Sequence, residues 1–438
     1  MSDTGGSAGS QGMGRKVLML CYQFAPAAGS FVQRTVKLVK YLSREGWKAT
    51  IITPRWSHEV IDEDLAGEVP ASCLVIQAGE ARWGPGRGWR ILQDMPGGWR
   101  WVPTLRKNLL YPDYARDWER VAADTGRRLL SAGRYDVLYS ASPPATAHLA
   151  AMRLRKEFNV PWVLDFHDPW VDNEQQYEGI WKIRKALDRR LEARVFHRAD
   201  VVGANTKTQR ESFLKQYHLS PERVIWTPCG YDEEDFTHLD VLPSNSSYRI
   251  TYTGSFYYSY NPRFFFEFLS RFLRDYDAPD VRLTLTGKSC ENVDPYLADP
   301  LLRERIERKG YVGREEIPRL LANSQMLFLT THPGGRQVPA KFYEYLRSGR
   351  PIIATGDTYG DVSRILTETG RGRFFLPSQG EELVSYLYEN YERWRASGQS
   401  PPLSPDAFVR EYEMSMVARR FTEAFEQAID LRRNRTGG

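Results

Sequence analysis

Residues 16–46 read KVLMLCYQFAPAAGSFVQRTVKLVKYLSREG, and the fold follows from them. Lys16–Cys21 is an almost wholly apolar run, the pattern of a strand buried on both faces of a parallel sheet. A loop of small residues follows, Tyr22–Ser30 (YQFAPAAGS), and then Phe31–Glu45, where Val32, Val36, Val39 and Leu42 recur at helical spacing. Ser30 is placed to cap this helix and Gly46 to end it. Strand, loop and helix form the repeating unit of an open α/β sheet. The same grammar recurs at Lys48–Pro54, Asp136–Ser140, Trp162–Phe166 and Asp200–Ala204, which makes the first half Rossmann-like. It restarts after the polar stretch Pro228–Tyr248, with strands expected at Arg249–Thr253, Val281–Thr286, Gln325–Thr330 and Pro351–Ala354. A long amphipathic helix, Asp406–Leu431, closes the pattern, with Phe408, Tyr412, Met416, Phe421 and Phe425 among its apolar positions.

The expected architecture is therefore α/β, with two Rossmann-like domains facing each other across a cleft where the strands' carboxyl ends bind ligands. The divisions are a disordered leader at 1–14, an N-terminal domain at 15–232 and a linker at 233–247. A C-terminal domain at 248–403 and a helix and tail at 404–438 complete them. The 438 residues, 41% hydrophobic and 26% charged, are enough for two full cores. No apolar run approaches the roughly 18–20 residues that span a bilayer, and MSDTGGSAGSQGMG lacks the features of a signal peptide. Cys21, Cys73, Cys229 and Cys290 are scattered, with no CxxC and no zinc spacing, which points to a reducing cytoplasm. A net charge of +5 permits anionic partners without requiring nucleic acid.

One segment breaks the rhythm. Arg82–Lys107 holds four tryptophans, six Lys or Arg and a single acid, Asp94. It reads either as a surface excursion packed on the sheet or as a patch for an anionic membrane. Interleaved basic and aromatic residues also suit single-stranded nucleic acid, but nothing else in the chain supports that partner.

Three stretches carry chemistry. In the first loop, the small residues Ala27, Ala28 and Gly29 let a ligand approach the backbone, and the helix that follows at Ser30 offers N–H groups to an anion; no GxGxxG or Walker lysine pattern accompanies them. In PWVLDFHDPW (161–170), Asp165, His167 and Asp168 stand at the end of a strand, where the histidine can bond a sugar hydroxyl, shuttle a proton, or close a turn before Pro169. His148 reads as a packing histidine. In THPGGRQVPAKFYEYLRSGRP (331–351), a strand ends before Gly334–Gly335 and a helix is expected to begin near Val338. Its N–H groups and Lys341 can hold a diphosphate, and Glu344, one turn on, can accept both hydroxyls of a ribose.

After its leader the chain resembles the retaining GT-B glycosyltransferases of family 4, of the bacterial surface-glycan type. The resemblance rests on YQFAPAAGSFVQR (22–34), YSASPPATAH (139–148), VLDFHDPW (163–170), TPCGYDEEDF (227–236), YTGS (252–255), GYVGREEIPRLL (310–321) and VPAKFYEYLRSGRPIIA (338–354), in that order and spacing. It implies a GT-B fold whose C-terminal helix packs back toward the N-domain. It also implies transfer of a sugar from a nucleotide-diphosphate-sugar to a glycan, lipid-linked or small-molecule acceptor. By the same resemblance the diphosphate lies against Gly29, Gly254, Ser255 and the helix near Val338, the base passes Tyr311 and Val312, and Glu344 holds the ribose. His167 reaches the donor sugar, Asp168 orients or deprotonates the acceptor, and Arg263 and Lys341 stabilise the leaving group with no metal or other cofactor. The chain departs from the family at two points: Arg336 stands where a glutamate is expected, and Ser255 where an arginine is. Lys288 is a further candidate cation. The place implied is cytoplasmic, docked on the inner membrane face. Rival readings are a soluble natural-product transferase, an epimerase sharing the fold, and a degenerate binding or scaffold protein.

Overall fold

The computed structural model describes residues 14–56, 61–81, 102–237, 239, 247–256, 262–287, 293–398 and 406–436. The chain divides into two compact units, and each is threaded by more than one stretch of sequence. Described residues of 14–203, 219–225 and 418–436 belong to the first; those of 204–218 and 226–417 belong to the second.

The first sheet has seven strands: β1 (Lys16–Cys21), β2 (Lys48–Arg55), β3 (Leu74–Glu80), β4 (Val137–Ser142), β5 (Trp162–Phe166), β6 (Val201–Ala204) and β7 (Val224–Trp226). Their order is β3-β2-β1-β4-β5-β6-β7, with β1 between β2 and β4, so that Leu18 is registered against both Thr50 and Leu138. The strand order reverses between β1 and β4, and their carboxyl ends open the crevice in which such sheets bind ligands.

The second sheet has six strands: β8 (Tyr248–Tyr252), β9 (Val281–Thr286), β10 (Ile306–Gly310), β11 (Met326–Thr330), β12 (Ile352–Thr355) and β13 (Gly372–Phe375). It is parallel throughout, in the order β10-β9-β8-β11-β12-β13, and reverses between β8 and β11. Its core is aromatic. The helix Arg263–Asp275 buries Phe265, Phe266 and Phe272, and the Phe265 ring stacks on Phe328 with centroids 3.7 Å apart.

The central strands stand where their apolar runs place them, whereas β3, β7, β10 and β13 carry no comparable run. β10 (IERKG) is half-buried only at Ile306 and otherwise exposed, because an edge strand has no second layer to bury it. The first helix runs Ser30–Arg44, with Gly29 as its N-cap at φ 133°, so Ser30 is its first residue and not its cap. A side chain at Gly29 would be strained there. The C-terminal pattern is not one continuous helix. Ala407–Arg410 forms a single turn, the chain is then pinned where Tyr231 N–H donates to the Tyr412 carbonyl and Met414 N–H donates to the Tyr231 carbonyl, and the helix resumes over Met414–Thr436. Phe408 is exposed rather than packed.

Within the first unit this last helix closes the core. Phe421 and Phe425 are fully buried; both meet the Tyr139 ring edge-on, at 5.7 and 6.3 Å, and Phe425 also meets Trp47 at 5.0 Å. Phe421→Ala is expected to destabilise the protein by about 3–5 kcal/mol, seen as a fall in the urea midpoint at unchanged slope. A loss below about 1 kcal/mol would mean that the helix is not part of that core.

Candidate functional site

The crevice of the second unit is organised by Lys341. The helix that carries it runs Lys341–Ser348 and starts three residues later than the sequence suggests. The N–H groups of Phe342 and Tyr343 are turned onto the carbonyls of Pro339 and Ala340. Lys341 Nζ donates to the Thr253 carbonyl at 2.8 Å and lies 3.6 Å from the centroid of the Tyr252 ring. Both residues stand at the carboxyl end of β8, beside the strand-order reversal. Tyr345, one turn on, fixes that end by accepting from Thr253 N–H at 2.8 Å and from Thr253 Oγ1 at 3.2 Å.

Gly254 follows, its N–H donating to Thr286 Oγ1 at the end of β9. Gly287 sits so close to it that a Cβ would lie 2.5 Å from the Gly254 carbonyl carbon, at φ +83°, so no side chain fits there. Burial pushes the Lys341 ammonium down to about 7, against the opposing charge of Glu344. Burial first, and then the Lys341 charge, push His332 down to about 4. The crevice thus holds one cation close to its titration point, above an aromatic face and beside a glycine turn.

The other candidates of this unit are less gathered. Glu344 is half-buried one turn beyond Lys341, and Ser255 is half-buried after Gly254. Val338 is buried in the second unit's core, ahead of the helix. Arg263 is the first residue of its helix, exposed, with Nε on Glu267 at 2.6 Å. Tyr311 is 80% exposed, and Arg336 is exposed as well. Lys288 lies outside the described residues, as do residues 82–101 of the Trp/Arg segment, whose described end forms the helix Val102–Leu109.

In the first unit Asp165 and His167 belong to one buried network. Arg34, from the first helix, forks onto both oxygens of Asp165, with Nη2 at 3.1 Å from Oδ1. Tyr139 OH donates to Oδ2 at 2.5 Å, and His167 Nε2 is 3.1 Å from the same atom. The His167 ring stacks on Phe31, and the Arg34 guanidinium lies over the Phe421 ring. The Arg34 charge holds the Asp165 carboxyl below its ordinary range despite burial, while burial and then Arg34 lower His167, which is neutral at pH 7. Arg34 and Tyr139 escaped the sequence reading. The signal was Asp165 itself: a carboxylate inside the apolar strand WVLDF requires a buried cation. His148 is a packing residue, its Nδ1 2.8 Å from Ser140 Oγ.

Asp168 has different surroundings. It lines a cavity of about 400 Å³ in the first unit, past the ends of β4 and β5, with Ser142, Pro143, Pro144, Pro169, Trp170 and Asp188 among the walls. His167, 3% exposed, is packed behind it. Among the described residues no group of three His, Cys, Asp or Glu side chains is placed to hold a metal ion, and no helix is long and apolar enough to cross a membrane.

Comparison with known proteins places these features in a family. Residues 32–235 match the model described as Glycosyltransferase Family 4, and residues 247–391 match that described as Glycosyl transferases group 1. No curated protein matches by sequence. Among solved structures, sucrose-phosphate synthase of Thermosynechococcus elongatus is similar at 16% identity, over 95% of this chain and 97% of that one, with a TM-score of 0.59. HepE of Anabaena, determined in complex with UDP-glucose, is similar at 13% identity, over 94% and 99%, with a TM-score of 0.60. The lipopolysaccharide outer core galactosyltransferase WaaB is similar at 12%, over 94% and 99%, with a TM-score of 0.59. At these identities the structural likeness concerns the fold, and the two consecutive family matches supply the rest: the chain belongs to the GT-B glycosyltransferases of the family 4 type.

Proposed function

We propose that this glycosyltransferase moves a sugar from a nucleotide-diphosphate-sugar to an acceptor hydroxyl, with retention and without a metal. Its place is the assembly of a bacterial surface or lipid-linked glycan at the cytoplasmic face of the inner membrane. The observation that carries the reading is Lys341 at the strand-order reversal of the second sheet, its Nζ on the Thr253 carbonyl and over Tyr252. A diphosphate entering there exchanges that carbonyl for phosphate oxygens, a stronger charge-assisted partner.

Cleavage of the sugar–phosphate bond puts positive charge on the anomeric carbon and negative charge on the departing diphosphate. Lys341 neutralises the latter, with Arg263 in support, and Glu344 holds the ribose. The leaving phosphate oxygen takes the acceptor's proton, so no dedicated base is needed. His167, neutral and clamped by Asp165, serves as the hydrogen-bonding group toward the donor sugar, and Asp168, which lines the cavity, orients the acceptor. Docking on the membrane draws on the Trp/Arg segment, on Trp181 and on the helix Lys182–Arg198 that follows it, where Ile183 and Leu187 are exposed beside Lys182 and Lys185.

Three measurements test this reading. Titration with UDP, GDP, ADP and dTDP is expected to show micromolar binding of one nucleotide, lost in Glu344→Ala; binding by none would overturn the donor reading. Lys341 titrates near 7 in the free protein, so above that pH it is largely neutral, and a diphosphate favours its charged form. Nucleotide binding at about pH 8 is therefore expected to take up close to one proton, read from the heat in buffers of differing ionisation enthalpy. Lys341→Met should abolish the uptake, and an unchanged value would place the proton elsewhere. Vesicles containing anionic lipid should co-sediment the protein at low salt, and the triple change Trp181→Ser, Ile183→Ser, Leu187→Ser should release it. Equal sedimentation of the two proteins would remove this face from the membrane contact.

A further inference from the structure

We infer that the cavity of the first unit takes an acceptor built on an apolar ring with one hydrogen-bond donor seated on Asp188, and not a bare sugar. The inference rests on the donor half of the glycosyltransferase reading alone, and for the acceptor it favours a small molecule over the glycan proposed above. At about 400 Å³ the cavity is of ligand size. Its walls include Pro143, Pro144, Pro169, Tyr114, Trp170 and Ile180. Rigid planar surfaces of this kind match a ring better than a flexible chain.

Several of the polar groups in the walls are committed. Asp113 already accepts from the N–H groups of Ala115 and Thr146, each at 2.9 Å, and from Thr146 Oγ1 at 2.5 Å. Arg184 donates to the carbonyls of Lys107 and Leu110, both at 3.0 Å, and to that of Pro112, and its Nε is 2.9 Å from Asp188 Oδ2. Tyr177 OH donates to that same Oδ2 at 2.8 Å. A monosaccharide presents a hydroxyl on nearly every ring carbon and would find few partners here, leaving polar groups unsatisfied in an apolar site.

One buried wall oxygen stands apart from these. Asp188 is fully buried, and its Oδ1 has no hydrogen-bond partner among the described residues. Buried carboxylate oxygens are almost always paired, and an orphan in the wall of a ligand-sized cavity marks where a donor is expected. A single O–H or N–H on an otherwise apolar ring supplies it. Asp168, lining the same cavity, is the second carboxylate such an acceptor meets, and it follows His167 just past the end of β5.

The test uses the full chain and four probes: 2-naphthol, 2-methoxynaphthalene, n-octanol and methyl β-glucoside, titrated by saturation-transfer NMR. 2-Naphthol is expected to bind with one-to-one stoichiometry. 2-Methoxynaphthalene, the same ring without its donor, should bind about tenfold more weakly, the size of one hydrogen bond to a charged group. Ile180→Trp, which fills the cavity from a half-buried loop position, should abolish 2-naphthol binding and leave nucleotide titration of the second unit unchanged. Tighter binding of methyl β-glucoside or n-octanol than of 2-naphthol would overturn the ring assignment. Equal affinity of the two naphthalenes would overturn the role of Asp188, and 2-naphthol binding unaffected by Ile180→Trp would place the ligand elsewhere. Nucleotide binding is read separately, so loss of the donor reading is distinguishable from loss of this one.

Discussion

The first unit is arranged around one buried ion pair. Arg34 and Asp165 are both almost fully shielded from water, and such a pair is tolerable only if its geometry is close and its remaining hydrogen-bonding positions are filled. That requirement dictates much else. The helix Ser30–Arg44 must lie where Arg34 reaches the end of β5, β4 must offer the Tyr139 hydroxyl, and His167 must turn its Nε2 toward the same carboxylate. The Met414–Thr436 helix must then lay Phe421 over the guanidinium. A charge placed in the middle of a sheet layer thus sets the position of four elements that are distant in sequence. Burial first, and then the guanidinium beside it, lower His167 from its ordinary value, against the pull of Asp165.

The second unit meets the same problem in a different way. Lys341 rests its Nζ on a carbonyl and an aromatic face, and the charge of Glu344 one turn on favours its protonated form against burial. The first unit sets Arg34 against a carboxylate, whereas the second sets Lys341 against a carbonyl and a ring at the end of β8.

How much of this was legible in the sequence depended on how local the cause was. KVLMLC and WVLDF read as central strands because both faces of each are buried, and burial on two sides leaves an unbroken apolar run. IERKG did not, since one edge and most of its side chains face water. VPAKFYEYL shows where a helix must be but not where it starts: no capping side chain marks the first turn, and the carbonyls of Pro339 and Ala340 take the N–H groups instead. His167 and Asp168 are adjacent in sequence and alike in motif, yet one is clamped in the core and the other lines a cavity. Only three-dimensional placement separates them. The partner of Asp165 lies 131 positions away, and the spare oxygen of Asp188 follows from how Tyr177 and Arg184 share its neighbour; neither leaves a pattern along the chain.

The threading of the two units has a consequence for how the protein is made. The chain passes from one unit to the other at 203/204, 218/219, 225/226 and 417/418, and Phe421 and Phe425 reach the first core only after the last crossing. On the ribosome, therefore, the earlier-synthesised sheet must wait, with the Tyr139 and Arg34 surface uncovered, while nearly the whole of the other unit is translated. The unit begun first is finished last. Selection on this chain must then act on an incomplete N-terminal layer that stays soluble through the interval as well as on the finished fold.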